Sequence, residues 1–127
     1  MVIAALHYQD PDKALDWLSS AFGAEVKEVH RGEDGVVVHA ELRLGDGLIM
    51  LGCYAEDGFL GGKTPDPLAG TISLYVVVPD PDSHYQRASA AGALIVRELV
   101  DQPYGSREYS ARDLEGNLWS FGTYDPR

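Results

Sequence analysis

Five side chains in this sequence have the chemistry to hold a metal ion or to transfer a proton. They are His7, His39, Glu41, His84 and Glu108. Imidazoles and carboxylates bind divalent metals and act as general acids or bases. These five are scattered along the chain, and none forms a close-spaced pair such as the His-x-x-x-His of metal-binding helices. The spacing gives a metal site no support, although a rearranged site that includes His7 or His39 stays open.

Nucleophilic chemistry has no better support in the sequence. Cys53 lies in an apolar stretch and is more typical of a core residue than of a nucleophile. No serine has a Gly-x-Ser-x-Gly context. The glycines of residues 58–62 neither follow a strand nor open a helix, so they do not predict a phosphate-binding loop. The sequence therefore predicts no catalytic residue.

The composition restricts the possible partners. The chain has 127 residues, of which 45% are hydrophobic, and 20 acidic residues against 10 basic ones give a net charge of -10. Such a field repels nucleic acid and anionic membranes and attracts cations. The single cysteine cannot form an internal disulfide. With no signal-like leader and no apolar run of membrane-spanning length, we expect a cytoplasmic protein.

The first half of the chain predicts one helix among four strands. Asp10-Pro11-Asp12 is typical of a helix start, because aspartate caps the first turn and proline suits its first position. Gly23 is a natural helix stop. Apolar runs and turn residues predict the strands at residues 2–8, 25–30, 36–44 and 48–54.

The second half repeats this pattern. Asp80-Pro81-Asp82 follows the first helix start by 70 residues, Gly116 follows the turn glycine Gly47 by 69, and Gly122 follows Gly52 by 70. The order of these landmarks indicates a duplicated unit. We therefore predict an α+β fold of two tandem βαβββ modules, at about 1–54 and 71–127 with a linker at 55–70, in which a curled mixed sheet surrounds a central cavity.

This pattern resembles the vicinal oxygen chelate superfamily, which includes glyoxalase I, fosfomycin resistance enzymes, extradiol dioxygenases and bleomycin resistance proteins. The resemblance lies in the paired modules, the two helix starts, the helix end Ala21-Phe22-Gly23 and the closing segment at 112–119, which is close to the family's RDPEG hairpin. It covers nearly the whole chain. It implies the fold but not one activity, since the same scaffold supports many reactions.

In metal-dependent members, the resemblance implies ligands from the first and last strands of each module. Counting from the helix starts and hairpin glycines places these positions at Ile3, Leu51, Ser73 and Ser120, with Thr71 as a substitute for Ser73. Alkyl side chains have no lone pair, and neutral hydroxyls bind divalent metals poorly. We therefore expect neither a metal nor another cofactor.

Strand alternation predicts which residues face the enclosed surface. The candidate ligand-binding residues are His7, Leu51, Ser73, Tyr75, Tyr104, Arg107, Tyr109 and Ser120. Tyrosines suit stacking on a flat ring, and Arg107 suits either an acidic group or a structural salt bridge. Trp119 and Phe121 have the opposite parity and are predicted to pack beneath a helix.

The leading hypothesis is a metal-free protein that binds or sequesters an aromatic or cationic natural product, as in antibiotic resistance of the bleomycin-resistance type. One alternative is a metal-dependent lyase, isomerase or dioxygenase of the same superfamily. Another is a regulatory or interaction domain without a ligand. The resemblance also implies a homodimer whose partner covers open sides of the sheets.

Overall fold

A computed structural model describes residues 2–53 and 73–127. The elements in chain order are β1 (Ala4–Tyr8), α1 (Pro11–Phe22), β2 (Glu25–Arg31), β3 (Val37–Leu44), β4 (Gly47–Cys53), β5 (Ser73–Val77), α2 (Pro81–Ala90), β6 (Leu94–Asp101), β7 (Arg107–Arg112) and β8 (Leu118–Gly122). We call residues 2–53 module 1 and residues 73–127 module 2. The linker predicted at 55–70 lies outside the described residues.

The strands form two four-stranded mixed sheets of the same topology. Their orders are β1-β4-β3-β2 in module 1 and β5-β8-β7-β6 in module 2. In each module the first strand pairs in parallel with the last, and the other pairs are antiparallel. Ala5 pairs with Met50, and 70 residues later Tyr75 pairs with Ser120. The predicted α+β fold and its duplication are confirmed.

Both helices begin where the sequence predicts. The Asp10 carboxylate accepts a hydrogen bond from the backbone N–H of Lys13 at 3.1 Å, and Asp80 accepts one from Ser83 at 3.2 Å. Helix α1 ends at Gly23, whose φ of 74° is the left-handed conformation that glycine adopts without strain. Each helix lies across one face of its module's sheet and leaves the other face open.

The buried core is shared by the two modules. Trp119 and Phe121 are fully buried on the helix side of module 2, which confirms their predicted position. The ring of Phe22, at the end of α1, lies 5.3 Å from that of Trp119 and 4.8 Å from that of Phe121. Module 1 therefore covers apolar surface that module 2 would otherwise expose to water.

The two helices also cap each other's ends. Trp17 of α1 donates from Nε1 to the carbonyl of Ala91, just after α2, at 3.2 Å. In return, Arg87 of α2 donates to the carbonyls of Ser19 and Ser20, near the end of α1, at 3.0 Å each. These carbonyls have no partner within their own helix, so each module satisfies the other's backbone.

His84 departs from expectation. The start of α2 predicts a solvent-exposed imidazole, but His84 is partly buried between the modules. Its Nε2 donates to the Phe22 carbonyl at 3.0 Å, and its Nδ1 accepts from the hydroxyl of Tyr109. Burial lowers the pKa of His84 below its ordinary value of 6.5. His84 is therefore a neutral link between α1 and module 2.

Within the described residues, neither helix is long and apolar enough to cross a membrane.

Candidate functional site

Register defines which residues line the open face of each sheet. In module 1, Met50 pairs with Ala5 on one side and with Glu41 on the other. In module 2, Ser120 pairs with Tyr75 and with Ser110. Paired residues share a face. The same strand positions therefore face outward in both modules, away from the helices.

The predicted position of Leu51 on this face is wrong, and so is that of Ile49. Leu51 pairs with Leu6 and Ala40 and is buried on the helix side. The error comes from counting back from Ser120 with the turn-glycine spacing of 69 instead of the strand spacing of 70. A one-residue shift moves a side chain to the other face. Met50 therefore occupies the position that was assigned to Leu51.

The residues at the family's metal positions do not fit a divalent ion. With the corrected register these positions hold Ile3, Met50, Ser73 and Ser120. The thioether of Met50 is a soft ligand, and Ser120 Oγ lies 2.7 Å from Ser110 Oγ in a hydrogen bond. In the part of the chain that the structure describes, no three His, Cys, Asp or Glu side chains come together as a possible metal site.

Histidines and glutamates nevertheless cluster on the open face of module 1. His39 Nε2 lies 3.0 Å from a Glu41 carboxylate oxygen, and His30 Nε2 lies 3.1 Å from one of Glu28. The two imidazole rings are 5.8 Å apart. His39 and His7 also line a small cavity of about 110 Å³. Module 1 thus brings His7 and His39 together, but in a cavity that the candidate residues of module 2 do not line.

Glu108 organises the open face of module 2. Its carboxylate is 3% exposed. It accepts hydrogen bonds from Tyr104 at 2.8 Å, from Tyr75 and Ser106 at 3.0 Å each, and from Arg97 at 3.2 Å. Burial alone raises the pKa of Glu108, but these hydrogen bonds and the charge of Arg97 outweigh it and hold the pKa below its usual value. Sequence reasoning named Glu108 as a possible metal ligand and missed this role.

Gly122 makes room for the Glu108 network. A Cβ atom at this position would overlap the Tyr75 hydroxyl and lie 2.5 Å from Cγ of Glu108. Real Cβ atoms do not approach other heavy atoms so closely, so glycine is required here. The signal in the sequence was the repetition of Gly52 as Gly122, which shows a shared backbone position but not its neighbours.

The remaining candidates of module 2 are held in different ways. Arg107 donates to Asp82 at 2.9 Å and to Asp101 at 3.2 Å, so the salt-bridge alternative is the one that the structure contains. Tyr109 is fully buried beneath α2, where its hydroxyl bonds to His84. A guest on the open face would not reach Tyr109. Ser73, Tyr75 and Ser120 share the open face, as their parity predicts.

The largest opening among the described residues is a cleft between the modules, with a volume of about 910 Å³. Its walls come from the beginning of β1, the β3–β4 turn, β5 and the C-terminal residues. Ala4, Ile49, Leu74, Val76 and Trp119 supply much of an apolar lining, and Tyr75 belongs to it as well. This volume and lining are typical of sites for organic molecules.

Two βαβββ modules with open sheet faces and a cleft between them define the class of this protein. The model of the glyoxalase/bleomycin resistance protein/dioxygenase superfamily matches residues 2–121. The chain belongs to this superfamily.

Three similar proteins support this assignment. The uncharacterised protein Mb0911c of Mycobacterium bovis is 37% identical over 116 residues, which are 89% of this chain and 76% of that protein. The crystal structure of TioX from Micromonospora sp. ML1 is 36% identical and covers 100% of this chain and 98% of that one, with a TM-score of 0.79. The fosfomycin resistance protein FosX from Mesorhizobium loti shares the fold, with a TM-score of 0.67 at 13% identity over 99% of this chain and 92% of that one.

Proposed function

We propose that this protein binds an organic small molecule without a metal ion, in the manner of a bleomycin-resistance-type member of its superfamily. The observation that carries the proposal is the cleft of about 910 Å³ between the modules. It is large enough for a drug-sized molecule and has an apolar lining with a few polar groups. We expect the guest to be an aromatic or cationic natural product, because the chain carries a net charge of -10.

The side chains at the family's metal positions also support binding over metal chemistry. Ile3, Met50, Ser73 and Ser120 offer no imidazole or carboxylate to a divalent ion. The competing proposal is a metal-dependent enzyme with a rearranged site, and the His39–Glu41 pair favours it. Metal analysis of protein purified without chelators separates the two. Stoichiometric nickel, zinc, manganese or iron would favour the enzyme.

The same proposal includes a cytoplasmic homodimer. The two open faces lie on different sheets and do not line one common cavity within the described residues. A second copy that covers these faces would enclose more of a guest than one chain does. Light scattering across a range of protein concentrations tests this part of the proposal.

A cleft-filling substitution tests the binding site itself. Ala4 lines the cleft, whereas Ala5 points to the opposite face of β1. In a thermal-shift screen of polyaromatic and glycopeptide antibiotics, at least one compound should raise the melting temperature of the wild-type protein in a saturable way. Ala4→Phe should abolish that rise, and Ala5→Phe should preserve it. If no compound stabilises the wild-type protein, the alternative of a domain without a ligand is favoured.

A further inference from the structure

Two exposed tyrosines of module 2 turn their polar ends inward. Tyr75 is 42% exposed and Tyr104 is 59% exposed. Both hydroxyls donate to the buried carboxylate of Glu108, at 3.0 Å and 2.8 Å. A surface tyrosine ordinarily keeps its hydroxyl in water and its ring against the protein. Here the hydroxyls are already bonded, and ring surface remains accessible to a guest.

A third ring completes this group. Tyr124 is 49% exposed, and its ring lies 5.8 Å from that of Tyr104 at an angle of 78°. Its backbone N–H donates to the Tyr75 hydroxyl and to Ser106 Oγ, at 3.1 Å each. The three rings are thus fixed through one hydrogen-bond network. Little side-chain entropy would be lost when a guest stacks on them.

The network also favours a positively charged guest. A phenol that donates to a carboxylate holds more electron density on its ring, and an electron-rich ring face attracts cations. Arg97 offsets the charge of Glu108 locally, at 3.2 Å, so the preference comes from the rings. Glu108 already accepts four hydrogen bonds and need not contact the guest.

We propose that Tyr75, Tyr104 and Tyr124 form a stacking subsite for planar aromatic cations at the edge of the cleft between the modules. This inference rests on the proposed small-molecule-binding function and specifies the class of guest. The position follows from shared residues, because Tyr75 lines the cleft and Thr123 and Asp125, on either side of Tyr124, line it too. The cleft holds the body of the guest, and the tyrosines hold its charged ring.

The test uses two probes that differ in charge but share one ring system. N-methylacridinium carries a permanent positive charge, and acridine is uncharged in mildly alkaline buffer. Calorimetric titration of the full chain should show that N-methylacridinium binds about fivefold more tightly. Tetramethylammonium, which is charged but not planar, should bind more weakly than either.

Substitutions then assign this binding to the three rings. Tyr104→Leu should weaken N-methylacridinium binding about tenfold, since one stacking surface is removed. Tyr104→Phe keeps the ring but loses the bond to Glu108, so it should retain acridine binding and lose most of the preference for charge. Val38→Ala is the matched control, because Val38 is also 59% exposed but lies in module 1. Circular dichroism checks that each variant is folded.

The outcomes separate this inference from the proposed function. Unchanged N-methylacridinium binding by Tyr104→Leu and by Tyr75→Leu would overturn the subsite. Equal affinities for the two probes would overturn the preference for a cation. If neither probe binds while another compound still stabilises the wild-type protein and not Ala4→Phe, the subsite is wrong and the cleft stands. If no compound of any kind binds, both proposals fail.

Discussion

The carboxylate of Asp113 joins the two modules through hydrogen bonds. Asp113 Oδ2 accepts from the Tyr8 hydroxyl at 2.6 Å and from Trp119 Nε1 at 3.0 Å. Two positions later in the same turn, Glu115 accepts from the backbone N–H groups of Gln9 and Asp10, at 2.8 Å and 3.0 Å. The β7–β8 turn of module 2 therefore fixes the junction between β1 and α1. A conserved-looking hairpin in the sequence is a connection between modules in the fold.

Removing the charge of Asp113 should destabilise the whole protein. Asp113→Asn keeps the size of the side chain but turns an amide toward Tyr8 or Trp119, which leaves a buried donor without an acceptor. We expect the free energy of unfolding to fall by about 2 to 3 kcal/mol. Urea denaturation measures this change, and Asp16→Asn, at an exposed site of α1, is the charge-matched control. A loss no larger than that of the control would show that Asp113 is not a structural link.

Adding one methyl group at Gly122 should damage the Glu108 network. In Gly122→Ala the new Cβ would overlap Tyr75 and Glu108 and would lie 3.2 Å from the Arg107 carbonyl. We expect a loss of about 1 to 3 kcal/mol of stability and weaker binding at the tyrosine subsite. In Gly47→Ala the Cβ would meet its nearest neighbour, the Leu44 carbonyl, at an ordinary 3.5 Å. Equal effects of the two substitutions, measured by urea denaturation and titration, would contradict this account.

At the scale of elements, α1 and α2 are held together by groups that each helix supplies to the other. Arg87 and Trp17 cap the opposite helix, and His84 bonds to the carbonyl of Phe22. This packing needs a neutral imidazole, because Nδ1 of His84 accepts a hydrogen bond from Tyr109. Protonation of His84 would put a second donor where the structure has an acceptor.

The contact between the helices should therefore make stability depend on pH. Since the pKa of His84 is lower in the folded protein than its ordinary 6.5, the unfolded chain binds the proton more readily. The contribution of His84 is fully present above pH 6.5 and is lost as the pH falls toward the lowered pKa. Urea midpoints across this window should show a smaller slope for His84→Gln. His30→Gln, at an exposed site, should keep the slope of the wild-type protein.

At the scale of the whole molecule, the shared core should make the two modules unfold together. Phe22 of module 1 packs on Trp119 of module 2, so neither module can lose its structure without exposing the other's core. Trp17→Phe leaves Trp119 as the single tryptophan. Its fluorescence reports on module 2, whereas circular dichroism reports on both modules. We expect the two signals to have one urea midpoint, and two separate midpoints would show independent modules.

Local patterns allowed most of the secondary structure to be predicted. The Asp-Pro-Asp starts, the stop at Gly23 and the alternation around Trp119 act over a few residues, where cap geometry and pleat periodicity decide the outcome. The site was harder to predict. Leu51 was placed on the wrong face because the spacing from turn glycine to strand glycine is five residues in module 1 and six in module 2. Only strand pairing resolves that difference.

The sequence by itself determined the duplicated α+β fold, the two capped helices and the absence of imidazole and carboxylate at Ile3, Ser73 and Ser120, since these follow from residue type and short-range order. Tertiary structure decided which side chains meet: Glu108 with three hydroxyls, His84 with Phe22, and Asp113 with Tyr8. Tyr8 and Asp113 are 105 residues apart, and contacts over such separations depend on how two sheets pack, not on the residues beside them in the chain.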